Sequence, residues 1–88
     1  MELGLQNRTA AVAAGTAGLG LGTAKALAED GVQVVVCGRD EEKLARALAE
    51  IGHGAQGFVC DVSTDAGGRE FVERAIALLG HVDILVAN

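Results

Sequence analysis

Apolar positions along the chain fall into two alternating rhythms: short continuous runs, and longer stretches in which they recur every three or four residues. Residues 9–14 (TAAVAA) form the first run and read as a strand closed by Gly15. Leu21, Ala24, Leu27 and Ala28 then share one helical face, and Gly31 closes that helix. Residues 32–37 (VQVVVC) are β-branched and nearly continuous in hydrophobicity, the pattern of a strand buried on both faces of a parallel sheet. Asp40 is placed to cap a second helix, with Glu41 and Glu42 in the first turn, where the helix dipole favours anions. Leu44, Ala47, Leu48 and Ile51 make its apolar stripe, and Gly52 and Gly54 break it.

Residues 56–60 (QGFVC) read as a third strand. A third helix follows, with Ser63 or Asp65 as its cap and Phe71, Val72, Ala75, Ile76 and Leu79 as its stripe. Gly67 and Gly68 fall early in it, where each costs about 1 kcal/mol against alanine. Gly80 ends the helix, and residues 82–87 (VDILVA) make a fourth strand. The order β-α-β-α-β-α-β puts a helix in every strand-to-strand passage, which implies parallel strands and right-handed crossovers. The predicted fold is α/β, a Rossmann-like parallel sheet with spatial strand order 3-2-1-4. No internal repeat or low-complexity segment is evident.

Composition narrows the function classes. The 88 residues are 50% hydrophobic yet include only two phenylalanines and no tryptophan or tyrosine, so the core must be valine, leucine, isoleucine and alanine. A net charge of −5 disfavours nucleic acid and offers no polybasic membrane anchor. Unbroken apolar runs are far below the ~18–20 residues of a membrane span. The first residues carry no secretory signal pattern, so a cytoplasmic, soluble protein is expected. Cys37 and Cys60 lie in apolar runs and read as small buried hydrophobes. His53 and His81 have no partners at ligand spacing, so no metal site is predicted.

In a doubly wound sheet, ligands bind beyond the carboxyl ends of the strands, where the strand order reverses. Here that point is the loop after the first strand, which carries Gly15, Gly18, Gly20 and Gly22. A phosphate needs backbone N–H groups within reach, without an intervening Cβ, and the first turn of the following helix offers them. The pattern G-x-G-x-x-G does not fit, because its third glycine falls on Thr23 or Lys25, and no Gly-Lys pair supports a P-loop. Taken alone, the four-glycine cluster is a weak signal, and the alternative to a phosphate loop is a tight turn with close helix–sheet packing.

The stretch AAGTAGLG (residues 13–20) resembles the T-G-x-x-x-G-x-G loop of the short-chain dehydrogenase/reductases, with Ala13 and Ala14 replacing the Thr and first Gly. KALAEDGVQVVVCGRDEEKL is similar to that family's first helix, second strand and next helix start. CDVS (residues 60–63) resembles its D-V element, and DILVAN (residues 83–88) resembles the opening of its N-N-A-G motif. Gly18 and Gly20 match the loop's second and third glycines, and Gly15 is expected to supply the freedom Ala14 lacks. Gly15, Thr16, Gly18, Leu19 and Gly20 are thus the candidate cofactor loop, with Gly22 easing helix packing on the sheet. The resemblance further implies that Asp61 and Val62 meet an adenine ring, and that Asn88 lines the ribose and nicotinamide side. Asp61 could equally be a helix cap.

At the end of the second strand an acid favours NAD and an arginine accommodates the 2′-phosphate of NADP. That acid position is Gly38 here and Arg39 follows, which predicts NADP(H) over NAD; the alternative for Arg39 is an exposed charge beside a helix start. Lys25 and Arg46 read as solvated helix charges. The family transfers hydride between a nicotinamide and a carbonyl or alcohol carbon, with a tyrosine as acid/base. No tyrosine is present, so no catalytic residue is assigned. Residues 1–88 are expected to be the N-terminal part of one NAD(P)-binding Rossmann domain in a longer, homo-oligomeric oxidoreductase acting on a small molecule. If 88 residues is the natural length, the alternative is a non-catalytic nucleotide-binding or interaction module.

Overall fold

The computed structural model describes residues 7–87. The elements follow in the order β1 (Thr9–Val12), α1 (Gly18–Glu29), β2 (Gln33–Gly38), α2 (Glu41–Ile51), β3 (Gln56–Val59), α3 (Asp65–Leu79) and β4 (Ile84–Val86). The four strands form one sheet in the order β3-β2-β1-β4, and every pairing is parallel. Ala11 lies opposite Val35 on one side and Leu85 on the other. Element types and strand order match the apolar rhythm. Strand ends are shorter than that rhythm suggests, because the pairing stops where the chain turns toward each helix.

Two apolar layers hold the sheet between helices. Ala10, Val12, Val34 and Val36 pack with Ala24 and Ala28 of α1 and with Leu44 and Ile51 of α2. The opposite face packs Ala11, Val35, Cys37 and Phe58 against Phe71 and Ala75 of α3. Each valine or larger side chain removed from water this way contributes roughly 1.5–3 kcal/mol. β1 is buried along its whole length and β2 from Val34 onward, as expected for strands covered on both faces. Alanines on β1 and α1 let that helix sit close to the sheet.

The two cysteines are free and buried. Loss of hydration pushes both thiols above their usual range, so they remain protonated packing groups. Two features of α3 differ from expectation. Its cap is Thr64, whose hydroxyl accepts from the Gly67 N–H at 3.0 Å, rather than Ser63 or Asp65. Ile76 is 44% exposed, because α3 lies over β1 and β2 and turns that side of its stripe outward. Leu85 on the edge strand β4 is also exposed, on the same face as Ala11.

A polar cluster locks β4 to β1 at the end of the sheet where these strands begin. Asp83 Oδ2 accepts from the Thr9 N–H at 3.0 Å, and the Asp83 N–H donates to Thr9 Oγ1 at 3.0 Å. Thr9 Oγ1 donates to the His81 carbonyl at 2.6 Å. His81 Nε2 lies 3.1 Å from Asp83 Oδ2, and Arg8 Nη1 lies 3.8 Å from Oδ1. The Thr9 N–H is the main reason that the Asp83 carboxyl lies below its usual range, with His81 and Arg8 adding to it. A lowered carboxyl stabilises the fold above the unfolded-state value of about 4 and loses that effect as pH falls through the folded value. Asp83→Asn should therefore lower the urea midpoint at pH 7, and its difference from the parent should shrink as pH falls toward ~3. A constant difference across that range would remove Asp83 ionisation from the account.

Candidate functional site

The C-terminal ends of β1, β2 and β3 open onto a cleft of ≈ 510 Å³. Thr16 and Ala17 form one wall, Gly38 and Arg39 a second, and Asp61 and Val62 a third. The loop after β1 is pinned on both sides as it leaves the sheet. The Ala13 N–H donates to the Val86 carbonyl at 2.9 Å, and the Gly15 N–H donates to the Cys37 carbonyl at 3.1 Å.

Within the loop, glycine and alanine divide the work differently from the sequence expectation. Ala14 itself takes the left-handed conformation, at φ 55°, so Gly15 does not supply that freedom in its place. Gly15 is needed for space, because a Cβ there would lie 2.7 Å from Val36 Cγ1. Gly18 begins α1 at φ 57°, with open space where a side chain would stand. Gly20 is buried under the first turn, and Leu19 beside it is 81% exposed. Gly22 does not ease packing on the sheet, since it is exposed and a Cβ would meet nothing there.

The start of α1 differs chemically from the starts of the other two helices. Its N-cap, Ala17, offers no side-chain acceptor, and the first turn holds no acid. The leading N–H groups therefore face the cleft side without a protein carboxylate or hydroxyl to receive them. At α2 the Asp40 carboxylate accepts from the Lys43 N–H at 3.0 Å, as expected of a cap, and this bond holds its carboxyl below the usual range. Asp40 is thus occupied, and Arg39 beside it is exposed on the cleft.

Asp61 follows β3 but does not cap α3. Its Oδ1 accepts from the Ser63 hydroxyl at 2.6 Å and the Ser63 N–H at 2.9 Å, closing a local turn. Those two bonds, and then the charge of Arg39, lower its carboxyl. Gly67 makes this turn possible, because a Cβ there would run into the Asp61 carbonyl oxygen. The structure thus brings Thr16, Arg39, Asp61 and Val62 to one cleft; Gly15 lies in the loop, and Gly18, Leu19 and Gly20 form the first turn of α1, next in the chain to the cleft-lining Thr16 and Ala17. Asn88 lies outside the described residues.

Lys43 also lines the cleft, although the sequence reading passed over it. Its position three residues after the Asp40 cap was the available signal, because that spacing puts it in the first turn of α2. Among the described residues, no three His, Cys, Asp or Glu side chains gather as a metal-ligating group. No helix there is long and apolar enough to cross a membrane.

Comparison with known proteins gives a consistent result. Residues 8–88 match the family model described as short chain dehydrogenase. Dehydrogenase/reductase SDR family member 4 of Sus scrofa is 41% identical over 87 residues, covering 96% of this chain and 31% of that protein. A crystal structure of 3-ketoacyl-(acyl-carrier-protein) reductase from Brucella melitensis complexed with NADH is 36% identical, with a TM-score of 0.82, covering 92% of this chain and 33% of that one. Actinorhodin polyketide ketoreductase crystallised with NADPH is 37% identical, with a TM-score of 0.84, covering 92% of this chain and 32% of that one. The chain thus spans about a third of the length of the relatives it matches.

The contrast between neighbouring glycines of α3 is testable. Gly67→Ala should destabilise the chain by about 1–3 kcal/mol, since the Asp61 turn must move. Gly68→Ala, which meets open space, should stabilise it by up to about 1 kcal/mol. Urea titrations of the two variants should give shifts of opposite sign, and equal shifts would contradict the packing of Asp61 on α3.

Proposed function

The chain belongs to the short chain dehydrogenase family, and on that premise we propose that residues 1–88 are the N-terminal part of a NAD(P)-binding Rossmann domain. They form the NADP(H)-binding portion of an oxidoreductase acting on a small-molecule carbonyl or alcohol. When bound, the nicotinamide supplies a hydride acceptor or donor. Every role assigned to this chain is one of holding and orienting the cofactor, and no proton-transfer residue is assigned among these residues.

The observation that carries this reading is the cleft whose two ends differ in charge-receiving groups. At one end the N-terminus of α1 offers N–H groups without a side-chain cap. Gly15, Thr16, Gly18, Leu19 and Gly20 would hold a pyrophosphate there, and the lack of a Cβ at Gly18 keeps the backbone open to it. At the other end, Arg39 would receive the 2′-phosphate, with Asp40 already taken by its cap. Asp61 and Val62, which follow β3 on the far side of β2 from β1, would meet the adenine; Asn88 is proposed for the nicotinamide side. Fit is supported by Gly38, where a Cβ would lie 2.5 Å from the Thr16 methyl. An acid at this position, which would repel a 2′-phosphate, would require the Thr16 side chain to move.

Leu85 is exposed on one face of edge strand β4, which supports the view that further elements cover that face in the whole protein. The cofactor reading is tested by titrating NADPH and NADH against the intact protein and its Arg39→Ala variant, following nucleotide fluorescence. NADPH affinity should fall by roughly tenfold or more, in line with loss of a charge-assisted bond, while NADH affinity holds. Equal loss of both, or none, would refute the 2′-phosphate role of Arg39.

A further inference from the structure

We propose that Lys43 is a second cation of the 2′-phosphate subsite and, with Arg39, sets the preference for NADP(H) over NAD(H). This inference rests on the cofactor reading above. Lys43 lines the same cleft as Gly38, Arg39 and Asp40. Its backbone is fixed there by the 3.0 Å bond from its N–H to Asp40 Oδ1, while Leu44, Ala47 and Ile51 bury the other side of α2. The side chain itself takes no part in the cap, so it remains available to a ligand.

Lys25 lies 3.8 Å from Glu50, and Arg74 lies 3.2 Å from Glu70. Among the described residues Arg39, Lys43, Arg46 and Arg69 form no ion pair, and of these four Arg39 and Lys43 line the cleft. The acids on the cleft are committed elsewhere: Asp40 to the cap, and Asp61 Oδ1 to Ser63. Lys43 and Arg46 both help to hold the Asp40 carboxyl below its usual range, so their positive charge is felt at the mouth of the cleft. Glu41 and Glu42 are exposed in the same turn of α2, where they lower the local potential but engage neither cation. A dianionic 2′-phosphate placed between a planar guanidinium and an ammonium would be bound by fork geometry on one side and a mobile point charge on the other.

The test uses the full chain, with NADPH, NADH, adenosine 2′-monophosphate and adenosine 5′-monophosphate as probes. Lys43→Met keeps the apolar stem and helix propensity, and Lys43→Arg keeps the charge. Lys43→Met should weaken NADPH and adenosine 2′-monophosphate by roughly five- to tenfold and leave NADH and adenosine 5′-monophosphate within about twofold. It should also make NADPH affinity less sensitive to salt, and Lys43→Arg should restore both properties. Circular dichroism controls for loss of α2. Equal weakening of all four probes, or an unchanged NADPH-to-NADH ratio in a protein whose ratio collapses on Arg39→Ala, would overturn the role of Lys43 alone. A parent protein with no preference for NADPH would overturn the cofactor reading, and this proposal with it.

Discussion

Strand β1 is paired in parallel with β2 along one edge and with β4 along the other, and the geometry of the cleft depends on that double pairing. It makes β1 the strand from which the connections diverge: α1 and α2 lie on one face, and α3 lies on the other. A strand in that position has no solvent-facing side, so every residue from Thr9 to Val12 is buried. It also has no room to turn gradually. The chain must leave the sheet between two neighbours, each of which fixes it by a hydrogen bond just beyond the strand. The tight path of the cofactor loop, with left-handed Ala14 and Gly15 pressed against Val36, follows from that exit.

The order of elements and the strand arrangement were legible because burial on both faces writes continuous apolar runs, and amphipathic helices write a three-to-four spacing. The Asp40 cap was legible because a cap is a local event, in which one side chain reaches an N–H three residues away. The misreadings share the opposite property. Whether Gly15 is glycine for conformation or for space depends on Val36, which belongs to another strand. Gly22 lies in a glycine-rich stretch, and nothing local says that its helix face looks outward. Thr64 caps α3 in place of its neighbours because the Asp61–Ser63 turn has already engaged the Ser63 hydroxyl. Ile76 fits the α3 stripe by spacing, but the position of α3 over β1 and β2 leaves that edge of the stripe uncovered. Each of these outcomes was decided by packing between elements distant in sequence.

Net charge gives a poor guide to the site. A chain at −5 would not be expected to attract an anionic ligand. The structure resolves this locally by removing acids from competition. Asp40 and Asp61 face the cleft region, yet each has an oxygen bound to the protein itself. Their carboxyls are lowered by those bonds, so they are ionised but already hydrogen-bonded. Arg39 and Lys43 lack comparable partners among the described residues. The potential at short range is governed by which charges are already satisfied, and at ordinary salt, contributions from beyond ~10 Å are largely screened.

The two ends of the sheet are built for different purposes, and the hydrogen bonds reveal the division. Where β1 and β4 begin, Thr9 and Asp83 exchange backbone and side-chain bonds, with His81 and Arg8 against the same carboxylate. Polar groups are saturated there, and the register of β4 on β1 is set. At the opposite end, β1 delivers a loop and a helix start whose donors have no side-chain acceptor. A helix terminus left open costs stability unless water or a ligand completes it. The dense lock at one end lets the other remain incomplete without loosening the pairing between β1 and β4. Polar satisfaction concentrated away from the cleft is therefore what allows unsatisfied donors to be held in fixed positions at it.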